Sequence, residues 1–191
     1  NEMRLIKSEF EIKRMREAIQ ISAEAHELVR ESIKSKNNER QIQGILEGFF
    51  LEKGARGPAY NSIVASGDNA CILHYTSNNS PLNKGELLLV DAGCSLTDYY
   101  NGDITRTIPI GGKFSDEQKV IYEIVLSAQK TAIQSAIIGS NSSTVHNVAL
   151  TILVEGLKEI GLLSGSTEEI IENQSYKHLY MHRTGHWLGL D

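Results

Sequence analysis

Apolar positions recur at helical spacing toward both ends of the chain and change period in the middle. Ser8-Glu9-Phe10-Glu11 has the form of a capping box, in which Ser8 accepts from the Glu11 amide and Glu11 reaches back. Ile12, Met15, Ile19, Ala23 and His26 follow near a 3.6-residue period and predict an amphipathic helix over residues 9–35. Asn37-Asn38 breaks it, and a second helix runs from Glu39 to Lys53, with Ile42, Ile45, Leu46, Phe49 and Phe50 on its apolar side, stopping at Gly54. Tyr60–Ser66 and Leu87–Cys94 then read as strands, and Tyr99–Ile110 as another after a short polar turn. Cys71–Tyr75 is a short apolar segment, and Pro81 and Gly85 punctuate the approach to the central strand. Helices return at Ser115, which caps a run ending at Gly139, and at Thr144–Ile160, closed by Gly161. From Tyr176 the chain is aromatic, histidine-rich and glycine-containing. This order predicts an α+β fold in which helices cover one face of an antiparallel sheet.

At 191 residues the chain is sized for one domain, or one domain and a fragment, and can bury a sizeable core. Hydrophobic residues at 40% and charged residues at 23% argue against disorder, and a net charge of -5 against a nucleic-acid or anionic-membrane binder. Two cysteines exclude a disulfide framework and suggest reduced thiols in the cytoplasm. Cys94 lies three residues from Asp91, on the other strand face, and reads with Cys71 as a small packing residue. No run approaches the ~18 apolar residues of a membrane span, and no apolar stretch follows Asn1-Glu2-Met3-Arg4 as a signal peptide requires. There is no nucleophile elbow, phosphate loop or dinucleotide fingerprint; Gly111-Gly112-Lys113 reads as a turn.

The chemistry concentrates in Val90-Asp91-Ala92-Gly93-Cys94 and Asn101-Gly102-Asp103-Ile104-Thr105-Arg106-Thr107. Read as a hairpin centred on Thr97, these place Asp91 directly opposite Asp103, on one face, with Cβ atoms roughly 5 Å apart. Two carboxylates so placed repel, and burial sharpens the repulsion, so positive charge is expected between them. A divalent metal pair, with ions about 3.5–4 Å apart, would fit. Taken singly, Asp91 could be a strand-end aspartate and Asp103 a partner of Arg106.

His178, His182 and His186 recur every four residues. That spacing suits one face of a zinc-binding helix, but Gly185 and Gly189 weaken a helix and Tyr180 and Trp187 favour an extended segment. In a strand His182 and His186 still share a face. His26, His146 and His178 read as hydrogen-bonded core histidines, with no partner visible for His146. His74, in apolar Ile72-Leu73-His74-Tyr75, is either a core histidine or, beside a metal site, a donor to a carbonyl oxygen or leaving group.

Asn61–Gly67, Leu73-His74-Tyr75, Val90–Cys94, Gly102–Thr107 and His182–Asp191 resemble, in order, the catalytic domain of the Xaa-Pro aminopeptidases (aminopeptidase P). These are pita-bread metallopeptidases, related to prolidase and methionine aminopeptidase. The resemblance implies two divalent cations, usually manganese, held by two aspartates, one histidine and two glutamates. By motif, Asp91 matches the bridging or first-metal carboxylate, Asp103 the carboxylate shared by both metals and His186 the histidine ligand. His74 and His182 match the histidines that contact substrate and stabilise the tetrahedral intermediate. A mainly oxygen ligand set suits manganese or a similar hard cation.

Two departures accompany the resemblance. Asp91 and Asp103 are one residue further apart than the family pattern, an excess assigned to the Ser95–Tyr100 turn. A bulge absorbs such a residue, whereas a register slip turns one carboxylate to the wrong face. The family's glutamate ligands and a further histidine are expected beyond Asp191, and its N-terminal domain before Asn1. Residues 1–191 are thus expected to be a partial catalytic domain, inactive alone, of a manganese-dependent cytoplasmic enzyme that removes the N-terminal residue from peptides with proline second. The parent is expected to form homo-oligomers and to bind neither nucleic acid nor membrane. A prolidase acting on Xaa-Pro dipeptides and a non-catalytic peptide-binding module are the alternatives.

Overall fold

A computed structural model describes residues 5–188. The chain divides into two compact units, the first running to Phe114 and including the chain from Trp187, the second Ser115–His186.

In the first unit, α1 (Glu9–Ser32) starts at the expected capping box: the Glu11 amide donates to Ser8 Oγ at 3.3 Å and the Ser8 amide to Glu11 Oε2 at 2.7 Å. A 3-10 turn at Ile33–Ser35 carries it to the expected end. Its buried face is Ala18, Ile21, Ser22, Ala25, His26 and Val29. The expected stripe is displaced, for Ile12 and Ile19 are each 40% exposed. Small residues win the inner face because the backbone packs closely there, as shown below. Helix α2 (Glu39–Glu52), capped by Asn38, buries Ile42, Leu46 and Phe50.

Strands β2 (Ile63–Ser66), β3 (Leu87–Asp91) and β5 (Thr105–Pro109) form an antiparallel sheet in the order β2-β3-β5, and β1 (Gly57–Pro58) pairs with β4 (Cys94–Ser95). Val64, Leu88, Val90 and Ile108 join α1 and α2 in one core, so helices cover one sheet face. Strand alternation sends Ile63, Leu89, Asp91 and Thr105 to the other. The expected strands are shorter than the apolar runs because the ladder breaks at Ala92-Gly93 and between Asn101 and Thr105.

The second unit contains α3 (Asp116–Ser135), α4 (Ser142–Glu159) and a short α5 (Thr167–Glu172). Helices α3 and α4 meet through Ala128, Ala132 and Ala149. Leu150, Val154, Leu157, Leu163, Ile170 and Tyr176 form a separate cluster. Among the described residues no helix is long and apolar enough to cross a membrane.

Candidate functional site

Asp91 is the last residue of β3 and pairs with Ile63 on one side and Thr105 on the other. The expected pairing with Asp103 is therefore corrected: the hairpin is symmetric about Asp98, as Leu87↔Pro109 and Ser95↔Asn101 show. Moving the centre by one residue moves every partner by two, which preserves side-chain parity. Asp103 and Asp91 remain on one face as diagonal neighbours. The turn holds Tyr99 in the left-handed region (φ 70°) and is tied to α1 by Arg14, whose Nε donates to Asp98 at 2.6 Å. Arg106 turns its guanidinium to the Thr105 carbonyl at 2.7 Å.

The kink after Asp91 has identifiable causes. The Ala92 carbonyl accepts from His26 Nε2 at 3.0 Å, and the Gly93 carbonyl from the Ala59 amide at 2.8 Å. A Cβ on Gly93 would stand 1.8 Å from the Gly102 carbonyl oxygen, and one on Gly102 would stand 2.3 Å from Ser22 Oγ and 2.9 Å from the Ala18 carbonyl. This close approach explains the small inner face of α1. Cys94 is buried, its amide donating to Ser22 Oγ at 3.0 Å, and burial raises its thiol pKa. It is the expected packing residue; Cys71 is exposed instead.

Tyr60 follows Ala59 directly, and its hydroxyl lies 2.5 Å from Asp91 Oδ1 and 2.9 Å from Asp103 Oδ1. One phenol proton serves one oxygen at a time. Burial, then the Asp91 carboxylate, raises the Tyr60 pKa. Sequence reasoning missed Tyr60 because a tyrosine at a strand start reads as a packing residue. The two carboxylates thus meet at one phenol hydroxyl. Among the described residues no group of three His, Cys, Asp or Glu side chains is arranged to hold a metal ion.

His74 is exposed, which overturns its core reading. It occupies a turn closed by the Tyr75 amide and Ile72 carbonyl (3.2 Å), with φ 56°. That left-handed position favours glycine or asparagine and costs another residue about 1–3 kcal/mol. Asn78, also left-handed at φ 45°, is fully buried, accepting from the Val64 amide at 2.9 Å and donating to the Ser62 carbonyl at 2.7 Å.

His182 and His186 lie in the second unit on an exposed stretch without strand structure. His182 Nδ1 is 2.8 Å from the Arg183 carbonyl. His146 is not a core residue: its Nδ1 contacts Thr184 Oγ1 at 2.9 Å, and its ring stacks on Tyr180. His178 is exposed, its Nδ1 2.5 Å from the Ser175 carbonyl. Only His26 matches the expectation of a hydrogen-bonded core histidine. The short helix α5 was also missed, although Ser166-Thr167-Glu168-Glu169 before Ile170-Ile171 has the capping-box form.

The profile of Metallopeptidase family M24 matches residues 13–191. A Xaa-Pro aminopeptidase of Haemophilus influenzae is 48% identical over the whole chain, and one of Escherichia coli is 42% identical. The chain spans 44% and 43% of their lengths. Among solved structures, Pseudomonas aeruginosa aminopeptidase PepP superposes on 98% of the chain (42% of its own) at 44% identity with a TM-score of 0.91. Escherichia coli aminopeptidase P, solved in complex with substrate and, zinc-substituted, with product, superposes on 99% (43% of its own) at 42% identity and TM-score 0.95. The expected pita-bread fold is therefore the fold of this chain, and the chain belongs to metallopeptidase family M24.

Proposed function

We propose that residues 1–191 are part of the catalytic domain of a longer, metal-dependent Xaa-Pro aminopeptidase. The observation that carries this reading is the meeting of Asp91 and Asp103 at one phenol hydroxyl, within a chain 48% identical to a Xaa-Pro aminopeptidase. Two carboxylates on a shared point are a fitting base for divalent cations, and their hard oxygen donors favour manganese. Asp91, Asp103 and His186 are the ligands contributed by this chain; two glutamates beyond Asp191 complete the set. Bound cations supply Lewis acidity for water activation and carbonyl polarisation. His74 and His182 donate to the substrate carbonyl oxygen as negative charge develops on it. A cytoplasmic setting agrees with two unpaired cysteines, one of them exposed.

The test uses the full-length protein, a tripeptide with proline second, and manganese. Hydrolysis releases the N-terminal residue. Asp103→Ala lowers kcat/KM by more than about 100-fold, since even the outer partners of metal ligands are worth 10–100-fold. An unchanged rate in that variant rejects the proposal, and cleavage confined to dipeptides redirects it to prolidase chemistry.

A further inference from the structure

The segment Gly67–Ser80 leaves the sheet after β2 and returns before β3. Ile72, Leu73 and His74 are exposed at its apex, while Tyr75 and Asn78 are buried. Its anchor is Glu39, the first residue of α2, which is fully buried. Glu39 Oε1 accepts from the Ser66 amide at 2.7 Å, Ser66 Oγ at 2.8 Å and Asn69 Nδ2 at 3.1 Å. Oε2 accepts from the Tyr75 hydroxyl at 2.8 Å and the Ser80 amide at 2.9 Å. The donors thus come from both ends of the loop and from the residue next to His74. Burial opposes the charge of Glu39, but the hydrogen bonds from the Ser66 and Ser80 amides and from the Asn69 and Ser66 side chains together outweigh it and hold its pKa below the usual carboxylate range.

A buried carboxylate is retained only where its lone pairs are filled. Here each oxygen accepts from a backbone N–H, so glutamine is a poor replacement: either orientation of its amide turns an NH2 group toward a backbone N–H. Nothing at the start of a helix demands this arrangement, because a solvated glutamate serves the helix dipole as well. What it does explain is how a histidine is kept in a left-handed turn position, since strain of this kind persists only where the surroundings over-determine it.

We infer that Glu39 is a positioning residue, fastening both ends of the 67–80 loop and Tyr75 so that the His74 imidazole is presented in one place. The inference rests on the proposed role of His74 toward a peptide carbonyl. Glu39 touches no reacting atom; it acts through the loop.

Two measurements on the full-length protein test it, with Glu39→Gln and, should that variant not fold, Tyr75→Phe, which removes one bond of the five. Amide hydrogen exchange rises about tenfold or more within residues 67–80, while α1, β3 and β5 are unchanged. With a proline-second peptide and manganese, kcat/KM falls about 10- to 100-fold, as small misplacements of a catalytic group do. In a His74→Ala background the same substitution costs nothing further, because the loop then has no imidazole to place. Unchanged exchange in 67–80, a uniform rise across the chain, or a full additional loss in the His74→Ala background overturns the inference. A wild-type protein that hydrolyses no such peptide rejects the functional reading instead, and the exchange measurement still decides whether Glu39 pins the loop.

Discussion

Asp91 ends a strand hydrogen-bonded on both sides, and Asp103 lies two residues before the partner strand begins. His182 and His186 lie on a stretch without a ladder, held by a few side-chain contacts around Thr184. Backbone hydrogen bonds and close glycine contacts position the first pair, so its geometry is as stable as the core. The hydrogen bonds around Thr184 and His182 in the second region are local and between exposed groups, the kind that opens at low free energy. The same substitution should therefore have unequal consequences in the two regions.

The largest difference is expected from glycine to alanine. Gly93→Ala drives a methyl group into the Gly102 carbonyl, with the Asp103 amide only 2.8 Å from the new Cβ. Backbone must move, and a loss of about 3 kcal/mol or more is expected together with weaker manganese binding. Gly185→Ala meets no atom of the described residues within 4 Å and should stay within about 0.5 kcal/mol of wild type. Urea midpoints of the two variants in the full-length protein measure the contrast, and equal midpoints would dissolve it.

Tyr60→Phe probes the carboxylate side more gently. It deletes the hydroxyl that contacts both Asp91 and Asp103 while keeping the ring. Hydrogen bonds to charged groups contribute roughly 1.5–3 kcal/mol, and half-burial reduces this, so a loss of about 1–2 kcal/mol is expected in chelator. Added manganese should narrow the gap, because a cation takes over the role of the lost proton. A gap that widens with manganese would mean the hydroxyl serves the metal-loaded state.

Legibility in the sequence follows the same division. The long helices, the Ser8 capping box, the Ser115 cap and the facing of Asp91 and Asp103 are readable because they depend on spacing alone. The hairpin centre was misplaced by one residue, yet the carboxylates stayed on one face, because parity survives a shift of partners by two. What spacing cannot encode is which polar side chain ties a loop. Glu39 reads as an ordinary acidic residue at a helix start, and only the fold reveals five donors around it. His74, in an apolar tetrapeptide, reads from its neighbours as either a core histidine or a donor beside a metal site; the loop exposes it because Tyr75 takes the inward place. The inner stripe of α1 was misjudged for a related reason: the close backbone of Gly93 and Gly102 excludes large residues, a constraint visible only from the partner.

A smaller, pH-dependent contrast involves His26, beneath the carboxylate side. Burial is the main reason its pKa is lowered, and its Nδ1 has no hydrogen-bond partner among the described residues. In the unfolded chain it takes up a proton near pH 6.5, whereas the folded protein resists. Stability is thus full above pH 6.5 and falls as pH drops from there through the lowered folded value. The slope cannot exceed about 1.4 kcal/mol per pH unit for one proton. Urea midpoints between pH 7.5 and 5.5 should show the decline, and His26→Gln should flatten it.

His146 should show the same sign in a local form, and this is the smallest of the expected effects. Its pKa is lowered by partial burial and then by the charges of Arg183 and His182. Its Nδ1 lies 3.3 Å from the Thr184 amide and accepts that N–H, which it can do only while deprotonated. Proton uptake below pH 6.5 therefore removes the acceptor and releases the backbone around Thr184. Exchange of the Thr184 amide, corrected for its intrinsic pH dependence, should accelerate as pH falls from 6.5, and in a His26→Gln background, where the global decline is flattened, the β3 and β5 amides should not follow it. His146→Phe keeps a ring against Tyr180 but offers no acceptor, so in that variant exchange should be fast at every pH. A Thr184 amide that stays protected at pH 5.5 in the wild type would place the imidazole side of the molecule under the same global control as the carboxylate side, and the contrast between them would fail.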